Sequence, residues 1–285
     1  MKKENKKKML ITIGILICVI GALMIFFNIN YSKTRTEFNA KVSELISQAD
    51  HQKDLFQKED ISALPIPVQR YFKYCGYLGT PKMSYGKIYY QNVDFCFGKD
   101  KPTIKIDYTQ YNFINGSNRI AYIDSSMYGI PFEGLDTFMD GAGSMRGVLA
   151  KLFTLFDQKG NVMDESSLVT FLSEILLFPN AAVQNYIKWE TIDNLHAKAT
   201  ITCYGMSVSG VYTFDESGKM LSFETDDRSV VSTNGSSEKI KWSVVFNEYK
   251  EVNGIKKPTS FKAIWHYNDG DLVYFDGNGT ITDYN

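Results

Sequence analysis

The chain has 285 residues, 44% of them hydrophobic, 22% charged and 14% aromatic, with a formal net charge of −1. That is the composition of an ordinary globular protein, not of a disordered or collagen-like one. The charge is uneven, since a lysine-rich tail of +4 leaves the remainder near −5, and such mild acidity argues against nucleic acid, which calls for a basic stripe.

Met9 to Phe27 runs about 19 residues without a charge, the length a helix needs to cross the hydrocarbon core. Lys2, Lys3, Lys6, Lys7 and Lys8 precede it against the single acid Glu4, so the positive-inside rule keeps the N-terminus in the cytoplasm and places the bulk of the chain outside. A cleaved signal peptide competes with this reading, but its apolar region is usually ~7–15 residues and ends in small residues. Asn28-Ile29-Asn30-Tyr31-Ser32 offers no such site, and Cys18, deep in the apolar run, does not suit a lipoprotein.

Phe38, Val42, Leu45, Ile46 and Ala49 recur at helical steps among polar residues, predicting an amphipathic helix to about Lys58. It is either a stalk that docks on the domain, the reading that fewer than three clean heptads favour, or a short coiled coil making a dimer. In Leu64-Pro65-Ile66-Pro67-Val68-Gln69-Arg70-Tyr71-Phe72, Pro67 suits the first helical turn, and a short helix reaches Gly76. From Tyr85 to about Met139 the period is two, and turn residues at Gly98, Pro102, Asn115-Gly116 and Gly129 divide it into three antiparallel strands.

A helical insert is expected next, because Val148, Leu149, Leu152, Phe153 and Phe156 share a helical face, as do Leu168, Phe171, Leu172 and Ile175. Asp164 reads as the N-cap of the second helix and Pro179 as its end. The last hundred residues form a meander: from Ile187, then 197–203, 206–214, 219–225, 239–249, 255–267 and 271–282. Asp215-Glu216-Ser217-Gly218, Asn253-Gly254 and Asn268-Asp269-Gly270 separate its strands, while 229–237 reads as a mobile loop. Trp242 and Trp265 fall on the apolar faces of adjacent strands.

The organisation expected is therefore a cytoplasmic basic tail over 1–8, a transmembrane anchor over 9–29, an amphipathic stalk helix over 30–60 and an extracytoplasmic β-rich domain over 61–285. The fold class is mainly β with helices (α+β): a curved antiparallel sheet or half-barrel covered by two or three helices, plus the one N-terminal transmembrane helix. A closed up-and-down barrel fits the strand order as well, but the mid-chain helices favour the open sheet.

The proline-rich helix start at Leu64, the segment Phe138-Met139-Asp140-Gly141-x-Gly143-Ser144-Met145-x-Gly147, and the Phe178-Pro179, Trp189-Glu190-x-Ile192-Asp193 and Ile281-x-Asp283-Tyr284-Asn285 segments resemble a bacterial family of uncharacterised proteins. The resemblance spans most of the domain and implies a domain boundary and a fold, with no reaction attached. That architecture is similar to the lipoprotein-carrier folds, in which a curved sheet cups an apolar ligand, an analogy that implies nothing about activity by itself.

Asp140 to Gly147 reads as a glycine-rich turn leading into a helix, whose free N–H groups at Gly141, Gly143 and Ser144 could hold an anion with help from Arg146. A purely structural turn is the competing reading. The spacing is neither a dinucleotide fingerprint nor a P-loop, and Ser144 lacks the glycines of a nucleophile elbow. With only His51, His196 and His266, no metal site is expected; a dyad of Ser144 with His196 or His266 stays open. The carboxylate pairs Glu190 with Asp193 and Glu224 with Asp226 are weaker acid–base candidates, the second on a face shared with Ser222 and Arg228 that reads as solvated. Asp269-Gly270-Asp271 and Asp276-Gly277-Asn278-Gly279 lack the ligand order of a calcium loop. Cys75, Cys96 and Cys203 show no paired spacing, though one disulfide among them stays open.

No cofactor and no catalytic residue is assigned. Gly141, Gly143, Ser144, Arg146, Trp242 and Trp265 are the ligand-binding candidates, the tryptophans either lining a pocket for an acyl chain or filling ordinary core. Three classes of function follow: a module binding an apolar or lipid-like ligand, a cell-envelope interaction or assembly protein, and an unrecognised hydrolase.

Overall fold

The computed structural model describes residues 2–50, 53–231 and 236–284. Helix α1 (Lys2–Asn28) contains the uncharged run, and among the described residues no other helix begins a stretch long and apolar enough to cross a bilayer. Ile11, Ile15, Ile17 and Ile25 on it are each more than half exposed, an apolar surface that water disfavours and lipid satisfies.

Ser32 accepts a hydrogen bond from the Arg35 N–H at 3.0 Å and so caps α2 (Lys33–Gln48). Phe38, Val42 and Leu45 bury themselves against Phe113, Ile120, Tyr122 and Leu135 of the sheet, so this apolar stripe docks within the chain and is not left as a coiled-coil seam. The helix stops at Gln48, well short of the Lys58 that periodicity predicts; Leu55 bridges to Pro81, and the short α3 (Lys58–Ile61) follows. His51 lies outside the described residues. In α4 (Ile66–Cys75) Pro67 sits in the first turn and Gly76, at φ +82°, ends the helix in the left-handed conformation that glycine tolerates.

The strands are β1 (Tyr85–Cys96), β2 (Thr103–Phe113), β3 (Arg119–Met127), β4 (Ile130–Met139), β5 (Ala142–Leu149), β6 (Phe153–Lys159), β7 (Ile187–Thr191), β8 (His196–Cys203), β9 (Met206–Phe214) and β10 (Met220–Thr225), followed by β11 (Ser229–Val231), β12 (Ser237–Lys239), β13 (Trp242–Val252), β14 (Ile255–Tyr267) and β15 (Gly270–Tyr284). Helix α5 (Asn161–Glu174) separates β6 from β7. Thirteen strands make one antiparallel sheet in the order β6-β5-β4-β3-β2-β1-β15-β14-β13-β10-β9-β8-β7, and β11 pairs with β12 apart from it. β15 joins the two meanders by pairing with both β1 and β14, and the ends at β6 and β7 stay open, so the sheet does not close into a barrel. Register shifts at Gln91/Asp94 and Ala263/Ile264 are bulges, which bend and coil the strands.

The sheet curves around α4, α5 and the segment to Val183, whose apolar side chains fill most of the concave side. Tyr71 and Tyr212 pin this layer by donating their buried hydroxyls to the carbonyls of Leu176 and Leu172. Four expectations change here. The region from Tyr85 to Met139 holds four strands, β1 to β4, not three. The first predicted mid-chain helix is the hairpin β5–β6: its helix-like spacing arises because Ala150 and Lys151 both take positive φ (53° and 60°) and fold the apolar residues back on themselves. The second helix is α5, but Gly160 occupies its N-cap position and Asp164 lies within the first turn. The segment expected as a loop over 229–237 begins and ends in the paired β11 and β12, with 232–235 outside the described residues.

Candidate ligand-binding cavity

Between α5 and the concave face lies a cavity of about 490 Å³. Its floor comes from alternate residues of β1, β2, β13, β14 and β15, which a period of two aims at one face. Trp242 and Trp265 sit opposite each other in the β13–β14 ladder with ring centroids 6.4 Å apart, and both line the cavity. Trp265 stacks on Tyr274 at 5.8 Å, and the Trp242 indole N–H donates to the Tyr274 hydroxyl at 3.2 Å. Tyr90, Phe261 and Phe275 continue the aromatic surface, with Tyr90 set edge-on to the other two at 5.2 and 5.1 Å. Such edge-to-face contacts fix ring positions, leaving a stiff apolar wall.

Arg228 covers the tryptophans, its guanidinium 4.3 Å from the Trp242 ring and 5.5 Å from Trp265. It donates to the Ser166 carbonyl at 2.9 Å and to the Thr170 hydroxyl, tying the chain after β10 to α5. The sequence placed Arg228 on a solvated face with Glu224; the strand has ended by Thr225, which frees the chain to turn back over the cavity. Glu224 meanwhile pairs with Lys241 at 2.7 Å.

A polar cluster closes the far end. Arg119, almost wholly buried, donates from Nε to Glu174 at 3.2 Å and from Nη1 to Asp136 at 2.7 Å, while Nη2 donates to the Tyr108 hydroxyl at 2.5 Å and to Gln110 at 2.9 Å. Gln110 and Asn112 each donate to the same Glu174 oxygen at 2.7 Å, and the Tyr108 hydroxyl donates to Asp136 at 3.1 Å. Burial alone would lower the affinity of the guanidinium for its proton, but Tyr108, Asp136 and Glu174 together hold it well above its ordinary value. The cluster therefore carries two carboxylates against one fixed cation. One oxygen of each carboxylate, Asp136 Oδ1 and Glu174 Oε1, makes no hydrogen bond among the described residues, and both side chains line the cavity. None of this was singled out from sequence, because the partners come from β2, β3, β4 and α5. The available signal was Arg119 entering an apolar strand, since a buried charge demands a partner.

Residues 54–277 match a family of unknown function, DUF6544. The chain belongs to the DUF6544 family. No curated protein matches the sequence. Among solved structures, that of the LolA superfamily protein NE2245 from Nitrosomonas europaea is similar at 10% identity and a TM-score of 0.39, covering 76% of this chain and 94% of that one. At that identity and score the likeness says nothing about a ligand.

In this DUF6544 chain the six sequence candidates separate. Asp140-Gly141 is the two-residue turn of the β4–β5 hairpin, with φ of 50° and 84°, and leads into a strand, so no helix N-terminus gathers its N–H groups around an anion. Gly143 donates its N–H to Asp164 at 2.6 Å and lies flat beneath α5. Ser144 and Arg146 point to the convex side, away from the cavity: the Ser144 hydroxyl is 2.8 Å from that of Thr137, and Arg146 pairs with Glu37 of α2 at 2.5 Å. Only Trp242 and Trp265 of the six reach the cavity.

Neither histidine partners Ser144. His196 contacts Asp193 at 2.8 Å, and His266 lies 2.8 Å from both Ser243 and Asp271. That Ser–His–Asp chain crosses β13, β14 and β15 on the convex face, but Ser243 is 3% exposed and sits mid-ladder between β10 and β14, where backbone N–H groups are spent on strand pairing. Without free donors for an oxyanion it is a cross-strand tie. The acids of the calcium-like fragments are likewise committed, Asp269 to Lys99, Asp271 to His266 and Asp276 to Lys262. Cys18, Cys75, Cys96 and Cys203 all stand as free thiols.

Proposed function

We propose that this protein is a membrane-tethered, extracytoplasmic binding module whose cavity takes an amphipathic, lipid-like ligand. The observation that carries the reading is the aromatic-lined space itself, which at about 490 Å³ falls within the ~300–1,000 Å³ of small-ligand pockets and pairs an aromatic sheet face with charged and hydroxyl side chains from α5 and its two ends. An apolar body would lie against Trp242, Trp265 and Phe275 and release water from that aromatic surface. At the far end, Asp136 Oδ1 and Glu174 Oε1 are acceptors without a donor among the described residues, in a cluster that sets two carboxyl groups against the single guanidinium of Arg119. The matching head is a donor such as a hydroxyl or an ammonium, so a fatty amine or alcohol suits the floor better than a fatty acid. The five lysines at the start of α1 supply the orientation and the apolar run that follows them the tether.

The test titrates the detergent-solubilised full chain with oleylamine, oleyl alcohol and oleate while following tryptophan fluorescence. A saturable change is expected, tightest for the amine, smaller in Trp242→Phe and in Trp265→Phe, and unaltered in Trp189→Phe. No change with any of the three would remove the proposal.

A further inference from the structure

We infer that the sheet end bearing the cavity mouth rests on the same bilayer that α1 crosses, with the β3–β4 and β5–β6 hairpin tips seated in its surface, so that a lipid enters the cavity from that leaflet. The contact on the membrane depends on α1 being a span; the entry of lipid rests in addition on the binding reading above.

Three observations converge. The first fixes height. Lys151, at the β5–β6 tip, donates its ammonium to the carbonyls of Phe26 and Ile29 at 3.2 and 2.6 Å and lies 5.8 Å from the Phe26 ring. These are the carbonyls a helix leaves unpaired at its C-terminus, and a cation there also suits the helix dipole. Because the apolar run ends at Phe27, with Asn28 next, the tip is held at the level where hydrocarbon gives way to headgroups.

The second is what surrounds Lys151. Leu152 and Phe153 are each 64% exposed, Leu155 51%, and Tyr128 of the adjacent β3–β4 tip 93%. Large apolar and amphipathic aromatic side chains bare to water on a turn are costly in a soluble domain and ordinary at a membrane interface, where tyrosine and the lysine ammonium meet the headgroups.

The third is topology. In an antiparallel meander alternate turns share one end, so the β1–β2 tip at 97–102, the β3–β4 tip at 128–129, the β5–β6 tip at 150–152 and the β14–β15 tip at 268–269 all lie at the end that meets α1. Helix α2 runs in the same sense, leaving this end with Arg35 on Asp124 and climbing the convex face until Asp50, just past its end, accepts a hydrogen bond from Asn115 in the β2–β3 turn at 2.7 Å. The cavity opens here too: its lining residues Phe97, Lys99 and Lys101 are exposed, whereas Gln110, Arg119 and Leu177 at its other end are buried. Four strand spacings, about 19 Å, separate the β1–β2 and β5–β6 tips, so one bilayer surface serves both.

The experiment places a bimane label at Tyr128→Cys, Phe153→Cys or Asn253→Cys in a Cys18→Ala, Cys203→Ser background of the full chain, reconstituted in phosphatidylglycerol–phosphatidylcholine vesicles with or without brominated acyl chains. Asn253, on the β13–β14 turn, is at the opposite end of the sheet. Loss of emission with brominated lipid at 128 and 153 but not at 253 is the expected result. Quenching at none of the three, which would hand the tips to a protein partner, or quenching at 253, overturns the inference. A second readout separates it from the ligand reading: Leu152→Glu with Phe153→Glu should abolish transfer of a fluorescent phospholipid from vesicles while leaving oleylamine binding in detergent unchanged. Unchanged transfer overturns entry from the leaflet; absent oleylamine binding in the parent chain as well, with the quenching pattern intact, strikes at the ligand reading and leaves the seating in place.

Discussion

At Gly143 an added Cβ would come within 2.4 Å of the Met163 carbonyl oxygen and 2.6 Å of the Ser167 hydroxyl, both on α5. The glycine was chosen from sequence for an N–H that could hold an anion; in the structure that N–H goes to the Asp164 carboxylate and α5 occupies the space above it. Gly143→Val should therefore cost about 1–3 kcal/mol by forcing α5 off β5. Ser144→Ala, which loses one hydroxyl contact with Thr137, should cost within about 1 kcal/mol. Thermal melts of the two variants check this, and a Gly143→Val chain as stable as its parent would contradict the packing. The polar cluster was illegible for a related reason: Arg119 advertises that a partner exists, but nothing local says that the partners are Asp136 on the next strand and Glu174 on a helix more than fifty residues away.

Elements with local signals were legible. Asn253-Gly254 fixes a hairpin because both residues adopt positive φ (53° and 81°), and the strands on either side begin and end close to where alternation puts them. Pro67 and Gly76 bracket α4 for equally local reasons. The 148–156 segment was misread because Ala150 and Lys151 reach positive φ without the glycine or asparagine that usually announces it, leaving a spacing that mimics a helix. Helix α2 carried its amphipathic stripe openly, but which surface it meets depended on Ile120, Tyr122 and Leu135 lining up across strands. Phe38→Ala removes the ring that packs on Tyr122 at 5.6 Å, and should weaken the docking of α2 by about 3–5 kcal/mol. Hydrogen exchange should then accelerate across α2 and not across β13 to β15. Acceleration throughout the sheet would mean that α2 is integral to the core and not a docked strap.

At the scale of the whole molecule, one sheet serves two faces. The convex face takes α2 and its ion pairs, and the concave face is packed by α4 and α5 except where the aromatic cavity remains. Composition and periodicity foretold a curved sheet with an apolar face; whether that face would be filled or left open depended on how far α5 reaches along it, which no residue pattern encodes. Native mass spectrometry of the full chain, extracted from membranes in mild detergent and then freed of that detergent in the gas phase, measures the outcome directly. The account predicts a retained small-molecule adduct of lipid mass that is reduced in a Trp242→Phe, Trp265→Phe double variant. A bare chain mass at every collision energy, from protein that remains folded, would contradict it.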